Sequence, residues 1–228
     1  MVVDAVILAR GGSKGIPKKN IVDFCGSPLI YWTIKQCIDS NYIRDIWVSS
    51  DSEEILNYAE QFGARTISRP IEISGDKASS ESSWLHAIDV IENEIGSTEV
   101  ILAPQVTSPL RETSDIDRGI EQFDNGKFDS MFSCSAADDL FLWERSINGN
   151  LRGVNHDYLN RKRRQDMPKQ IIENGSFYLF KSSILRKYKN RLGGKIGSIE
   201  MDFWKMFEID TLDDARMCSA LMKEFLLH

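Results

Sequence analysis

The chain has 228 residues, 42% of them hydrophobic, which suits one α/β domain with a substantial core and a small excursion. With 28 Lys and Arg against 34 Asp and Glu the net charge is −6, which argues against the global positive field of a nucleic-acid binder. Cys25, Cys37, Cys134 and Cys218 lack C-x-x-C spacing, and Met1 to Val6 carries neither a basic n-region nor a long apolar run. The expectation is therefore a cytoplasmic protein with reduced thiols, without zinc site, disulfide framework, signal peptide or membrane span.

The apolar run Ala5 to Leu8 predicts a first strand, and the stretch Leu8 to Asn20 follows it with three glycines and four basic side chains, Arg10, Lys14, Lys18 and Lys19. At the carboxyl end of a buried strand, Gly11 and Gly12 let backbone N–H groups approach an anion while Ser13, Arg10 and Lys14 surround it, so the loop reads as a phosphate cradle. It is neither a P-loop nor a G-x-G-x-x-G turn. A basic surface loop with glycine turns is the competing reading, which the position after a buried strand disfavours.

Farther along, Pro28 suits the first turn of a helix over Leu29 to Ile38, and Ile46 to Ser49 reads as the next strand. Ile55, Tyr58, Ala59 and Phe62 mark a helix over Glu53 to Phe62, with Asp51 or Ser52 as N-cap and Gly63 as C-cap. Asp51 is read as a cap and left out of the site. A helix over Ser83 to Glu94, a strand at Val100 to Ala103, a helix over Ile116 to Phe123 and a strand at Ser130 to Cys134 continue the alternation. Residues 138–170 show no sustained period and form an excursion from the sheet. Ile171 to Phe180 and Met206 to Ile209 return as strands, and Leu212 to Leu227 closes the chain as a helix. Such alternation implies a mostly parallel, Rossmann-like sheet flanked by helices, with ligands outside the carboxyl ends of its strands.

Leu8 to Asn20 resembles the signature of the CMP-sialic acid synthetases, the acylneuraminate cytidylyltransferases, which join CTP to a nine-carbon 2-keto acid. Further segments recur in the family's order: Val48 to Asp51, Ala78 to Ser82, Gln105 to Pro109, Arg163 to Asp166, Glu173 to Tyr178 and Glu208 to Thr211. The resemblance spans essentially the whole chain. It implies a nucleotidyltransferase fold of the glycosyltransferase-A-like kind, a homodimer, and transfer of CMP from CTP to the 2-hydroxyl of a nonulosonic acid with release of pyrophosphate. Residues 138–170 resemble the family's dimerisation arm, with Phe141, Leu142 and Trp143 as apolar contacts. The absence of room for a second catalytic domain points to a bacterial form.

By this resemblance Arg10, Asn20 and Arg69 lie at the nucleotide with Lys14, and Ser80 and Ser82 take part in base recognition. Either serine alone is equally well explained as helix capping. Gln105 and Ser108 face the acceptor sugar, Asn174 and Tyr178 join its pocket, and Phe177 turns into the core. Arg161 aligns with an active-site arginine suited to the acceptor's carboxylate, and Arg164 with a neighbouring contact, although a charge run is commonly a solvated face. Mg2+ is the expected counter-charge, and Glu208 and Asp210, two apart in a strand, can converge on it. Asp210 as a cap of the closing helix is the alternative, while Asp213 and Asp214 suit the helix dipole. Two other functions compete: an eight-carbon 3-deoxyoctulosonate cytidylyltransferase, and a non-catalytic nucleotide-binding regulator.

Overall fold

The computed structural model describes residues 1–138 and 140–227, apart from the Arg164 side chain. In chain order the elements are β1 (Val3–Leu8), a short hairpin of β2 (Asp23–Phe24) and β3 (Ser27–Pro28), α1 (Leu29–Ile38), β4 (Ile43–Ser50), α2 (Glu53–Gln61) and β5 (Arg65–Ser68). There follow α3 (Ser80–Ile95), β6 (Val100–Pro104), α4 (Thr113–Gly126), β7 (Ser130–Ala136), a second hairpin of β8 (Trp143–Arg145) and β9 (Leu151–Gly153), and β10 (Ile171–Lys181). The chain ends with α5 (Ser182–Tyr188), β11 (Ile196–Glu200) and α6 (Leu212–Phe225).

Seven strands make one sheet in the order β11-β7-β10-β6-β1-β4-β5. Only β10 runs antiparallel to its neighbours; the remaining pairs are parallel. Strand alternation in β1 explains how the sheet is clothed: Val3, Ala5 and Ile7 join a core with Leu29 and Ile34 of α1, Ile55 of α2, Ile120 of α4 and Met222 of α6, while Val6 joins Trp84 and Ile88 of α3 and Leu185 of α5. Both faces are thereby covered, as parallel sheets require. Asp4 is buried between these layers and is satisfied by a two-pronged Arg44, at 3.0 and 2.6 Å, and by the Thr98 hydroxyl at 2.5 Å.

One expected strand needs correction. Met206 to Ile209 is not a strand: Phe203–Met206 forms a 3-10 turn, and the following residues run outside any ladder, tied by Ile209 N–H donating to the Thr107 carbonyl at 2.8 Å. The position beside β7 is taken instead by β11, whose Gly197 leaves room for the Phe128 ring 2.7 Å from where a Cβ would stand. A strand broken by a packing glycine gives no clear alternation, so its sequence signal is weak. The short β5 and α5 lie below the length at which a period is legible.

The excursion leaves the sheet where expected. β7 and β10 pair up to Ala136 and Ile171, and residues 140–170 between them form the separate β8–β9 hairpin. Phe141 and Trp143 pack edge-on against His156 with centroids 4.9 Å apart yet remain exposed, as are Leu142, Ile147, Leu151, Val154 and Leu159.

Candidate active site

Because β1 and β4 are neighbours and parallel, their carboxyl ends bring the glycine-rich loop beside Asp51. Asp51 does not cap α2; Ser52 occupies the cap position, and the Asp51 carboxylate accepts the Gly11 N–H at 2.8 Å. Two more ties hold the loop: Asn20 donates to the Arg10 carbonyl at 2.9 Å, and Lys19 donates to the Ile209 carbonyl at 2.9 Å and the Asp210 carboxylate at 2.7 Å. Gly15 rests against the Asp210 carbonyl oxygen so closely that a Cβ would collide with it. The loop is thus fastened at both ends before any ligand arrives.

Arg10, Gly15, Lys19 and Asn20 wall a cleft of about 590 Å³ that also takes in Arg69, Ser80 and Asp210. Arg69 is buried, its Nε donating to Ser74 Oγ at 3.0 Å and its NH2 lying 3.9 Å from Asp51. Burial draws the Arg69 pKa down, Asp51 opposes that, and Arg10 adds to it. Arg10 and Lys14 both reach Asp76, each at 2.8 Å, and their hydrogen bonds, that of Lys14 foremost, hold Asp76 below the usual carboxylate range. A carboxylate therefore rests on the two basic side chains of the loop. Asp76→Asn is expected to tighten binding of inorganic pyrophosphate by a few-fold, since the anion would no longer displace a surface ion pair of modest strength; calorimetry would show it, and weakened binding would refute it.

The sequence alone leaves the serines open between capping and recognition, and the structure separates them. Ser79 caps α3 by accepting the Ser82 N–H at 3.1 Å, and the Ser82 hydroxyl returns to the Ser79 carbonyl at 2.7 Å, so Ser82 is committed to the helix end. Ser80 faces the cleft. Gly11 gives its N–H to Asp51, and Gly12 is exposed with open space around it. The cleft itself is lined by Ser13, Lys14 and Gly15.

A second cavity of about 380 Å³ is lined by Gln105, Glu173, Asn174, Gly175, Tyr178, Phe207 and Glu208. A smaller pocket of about 130 Å³ shares Leu8, Asn20, Ser80 and Thr107 with the cleft and Gln105 with the cavity, so the two regions are neighbours. Asn174 is buried with its amide committed to protein: Oδ1 accepts from the Ser133 hydroxyl at 2.6 Å and the Ser176 N–H at 3.2 Å, and Nδ2 donates to Ser135 Oγ at 3.2 Å. Its expected role of reading a ligand is therefore replaced by one of shaping the turn at Gly175. Tyr178 donates its hydroxyl to Glu173 at 2.5 Å and lies under the Arg191 guanidinium, 4.3 Å from its ring centroid. Burial, then Glu173, pushes its phenol pKa up. Phe177 is fully buried on the opposite face of the sheet. Ser108 is buried, and its side chain lies beside the Glu208 carboxylate, whose pKa it acts to lower.

Glu208 faces this second cavity and Asp210 the basic cleft, although they lie in coil rather than a strand. Burial, then the charge of Asp210, raises the Glu208 pKa, with Lys19 acting in the opposite sense. Asp210 is free of capping duty because Thr211 caps α6, accepting the Asp214 N–H at 3.2 Å in a reciprocal capping box. Among the described residues no third acid, histidine or cysteine completes a metal cluster here. Of the two carboxylates, Asp210 alone opens onto the cleft, with Glu208 in the neighbouring cavity; carboxylate oxygens of this kind suit a hard divalent cation that takes its remaining ligands from phosphate and water.

The Cytidylyltransferase family model matches residues 5–223. The chain belongs to the cytidylyltransferase family. It is 37% identical over 188 residues to N-acylneuraminate cytidylyltransferase A of Danio rerio, covering 81% of this chain and 43% of that protein. It is 31% identical over 175 residues to a pseudaminic acid cytidylyltransferase of Campylobacter jejuni, covering 76% of this chain and 75% of that one. The chain thus spans less than half the length of the fish relatives it matches. A solved CMP:2-keto-3-deoxy-manno-octonic acid synthetase complexed with CTP has the same fold, with a TM-score of 0.75 at 16% identity over 99% of this chain and 100% of its own.

Within this cytidylyltransferase the excursion keeps one expected residue away from both cavities. Arg161 is exposed beyond the hairpin, its guanidinium 4.7 Å from the Phe141 ring centroid, and lines a separate hollow of about 160 Å³ with His156 and Pro168. The Arg164 side chain lies outside the described residues. Asp51, Asp76 and Arg111 escape sequence reasoning; for Asp51 the available signal is a carboxylate at the end of the strand after the first crossover.

Proposed function

We propose that the chain transfers CMP from CTP to the 2-hydroxyl of a nonulosonic acid, releasing pyrophosphate. The observation that carries this reading is the adjacency of the Arg10–Lys14–Arg69 cleft and the cavity of Gln105, Tyr178 and Glu208, which share lining residues with one smaller pocket. Such an arrangement suits a triphosphate on one side and an acceptor on the other. The names of the family and of its relatives support the same chemistry. Arg10 and Lys14 hold the phosphates, Arg69 and Ser80 line the nucleotide side, and Gln105 orients the acceptor. Catalysis of this kind rests on positioning and electrostatics. Mg2+, held by Asp210 with Glu208 beside it, would supply counter-charge to the phosphate oxygens. The four cysteines are free, and no helix among the described residues is long and apolar enough to cross a membrane; the thiols support a cytoplasmic setting.

Incubation with CTP, Mg2+ and a panel of N-acetylneuraminic, deaminated neuraminic, legionaminic, pseudaminic and 3-deoxyoctulosonic acids, with pyrophosphate recorded, tests the reading. Release with a nine-carbon acid supports it. No release with any acid, or release with the octulosonic acid alone, overturns it.

The exposed apolar residues of the hairpin support a homodimer in which this arm meets a second copy, and the distance of Arg161 from its own subunit's cavities supports a role for that residue across the interface. Ile147→Asp together with Leu159→Asp is expected to yield a monomer by light scattering, with CTP binding kept and acceptor turnover lost. A dimer that survives both changes would refute this arrangement.

A further inference from the structure

Arg111 is among the largest fully buried side chains of the protein, and among the described residues no carboxylate forms an ion pair with it. Its guanidinium is instead directed at loop acceptors. NH1 donates to the carbonyls of Gln105 at 3.1 Å, Ser108 at 2.8 Å and Ser176 at 2.9 Å. NH2 donates to the Gln105 carbonyl at 3.0 Å and to Thr33 Oγ1 of α1 at 2.7 Å. Burial draws its pKa down to about 10. A buried cation without a counter-ion is costly, and a space that only needed filling is more stably filled by an apolar side chain.

The acceptors fall on both walls of the second cavity. Gln105 is one wall; Ser176 directly follows Asn174 and Gly175, which form the other. A further bond, Gln105 N–H to the Ser176 carbonyl at 3.0 Å, links the same two segments. Gly175, at φ +66°, lies beside both walls: a Cβ there would collide with Glu208 Oε1 and would stand at van der Waals distance, 3.7 Å, from Gln105 Nε2. One planar fork spans both walls and anchors them to α1, which is the geometry for which Arg rather than Lys is suited.

Resting on the functional reading above, we propose that Arg111 is a positioning residue for the acceptor half of the site: by holding the Gln105 and Ser176 carbonyls at a set separation, it fixes where the Gln105 amide meets the acceptor. The nucleotide half does not depend on it, since the loop there is tied by Asp51, Asn20 and Lys19.

The test compares wild type with Arg111→Lys, which keeps charge but loses the fork, and with Thr33→Val and Thr33→Ser, which remove and restore one acceptor outside both cavities. Arg111→Lys is expected to raise the acceptor KM about 10-fold or more, in line with misplacement of a positioning group, while CTP affinity by calorimetry changes less than twofold. Thr33→Val should move the acceptor KM in the same direction by a few-fold, and Thr33→Ser should restore it. Hydrogen exchange should quicken over residues 104–109 and 174–177 and stay unchanged over 9–20. Equal changes in CTP affinity and acceptor KM, or unaltered exchange in those segments, would overturn the proposal. Should Arg111→Lys not fold, the Thr33 pair decides by the same two readouts. A wild type that releases no pyrophosphate removes the functional reading, and hydrogen exchange then tests the clamp on its own.

Discussion

Asp210→Asn is expected to lower pyrophosphate release from CTP roughly 10²–10³-fold, the effect of removing one charged partner from a preorganised site. The fold should not suffer. The Asp210 side chain is 71% exposed, its ion pair with Lys19 is of the surface kind that contributes little, and the Thr211–Asp214 capping box that starts α6 is untouched. An unchanged melting temperature with lost turnover would place the defect in the chemistry. Chelation of divalent cations in the wild type should give the same loss. Turnover within threefold of wild type in Asp210→Asn would remove Asp210 from the reaction and, with it, the proposed role of Mg2+.

Gly15→Ala is the second large effect, and Gly12→Ala is its control. Both glycines lie in the same loop, yet a Cβ on Gly15 would collide with the backbone carbonyl of Asp210, whereas one on Gly12 meets nothing within 4 Å. Backbone against backbone has no flexible end that can yield, so the glycine-rich loop and the Asp210 segment must move apart. Because displacement of about 1 Å can lower a positioned reaction roughly 100-fold, kcat/KM for CTP in Gly15→Ala should fall by about that factor. Gly12→Ala should remain within twofold of wild type. Equal behaviour of the two variants in steady-state kinetics would show that the close approach of the two loops does not matter to function.

Much of the fold was legible because local patterns and global packing agreed. Leu29–Ile38 begins immediately after Pro28 as its sequence suggests, and the buried runs at β1, β4, β6, β7 and β10 all lie within the sheet. The failures have particular causes. β11 carries Gly197 to admit Phe128, which interrupts its apolar pattern. Met206 to Ile209 has a strand-like composition, but β11 already occupies the edge beside β7, and the segment serves instead to carry Glu208 and Asp210 to the two cavities.

The site divides along the same line. Arg10, Lys14, Asn20, Arg69, Ser80, Gln105, Tyr178, Glu208 and Asp210 line the neighbouring cavities; Asn174 also lines the second, but its amide, like the Ser82 hydroxyl, is committed to protein partners, and Arg161 stands on the far side of the hairpin. Residue type shows that a serine or an amide can contact a ligand. It does not show which neighbour has already taken its hydrogen bonds.

By itself, then, the sequence determined the alternation of strands and helices, the place of the glycine-rich basic loop after the first strand, and the family to which the chain belongs. These follow from periodicity and from contiguous motifs, both of which are properties of neighbouring residues. Tertiary structure alone decided that Asp51 orders the glycine loop from 40 residues away, that Asp76 rests on Arg10 and Lys14, and that the buried Arg111 reaches the Ser176 carbonyl 65 residues along the chain. Those pairings depend on strand order and loop approach, which bring distant charges together at distances that no local pattern encodes.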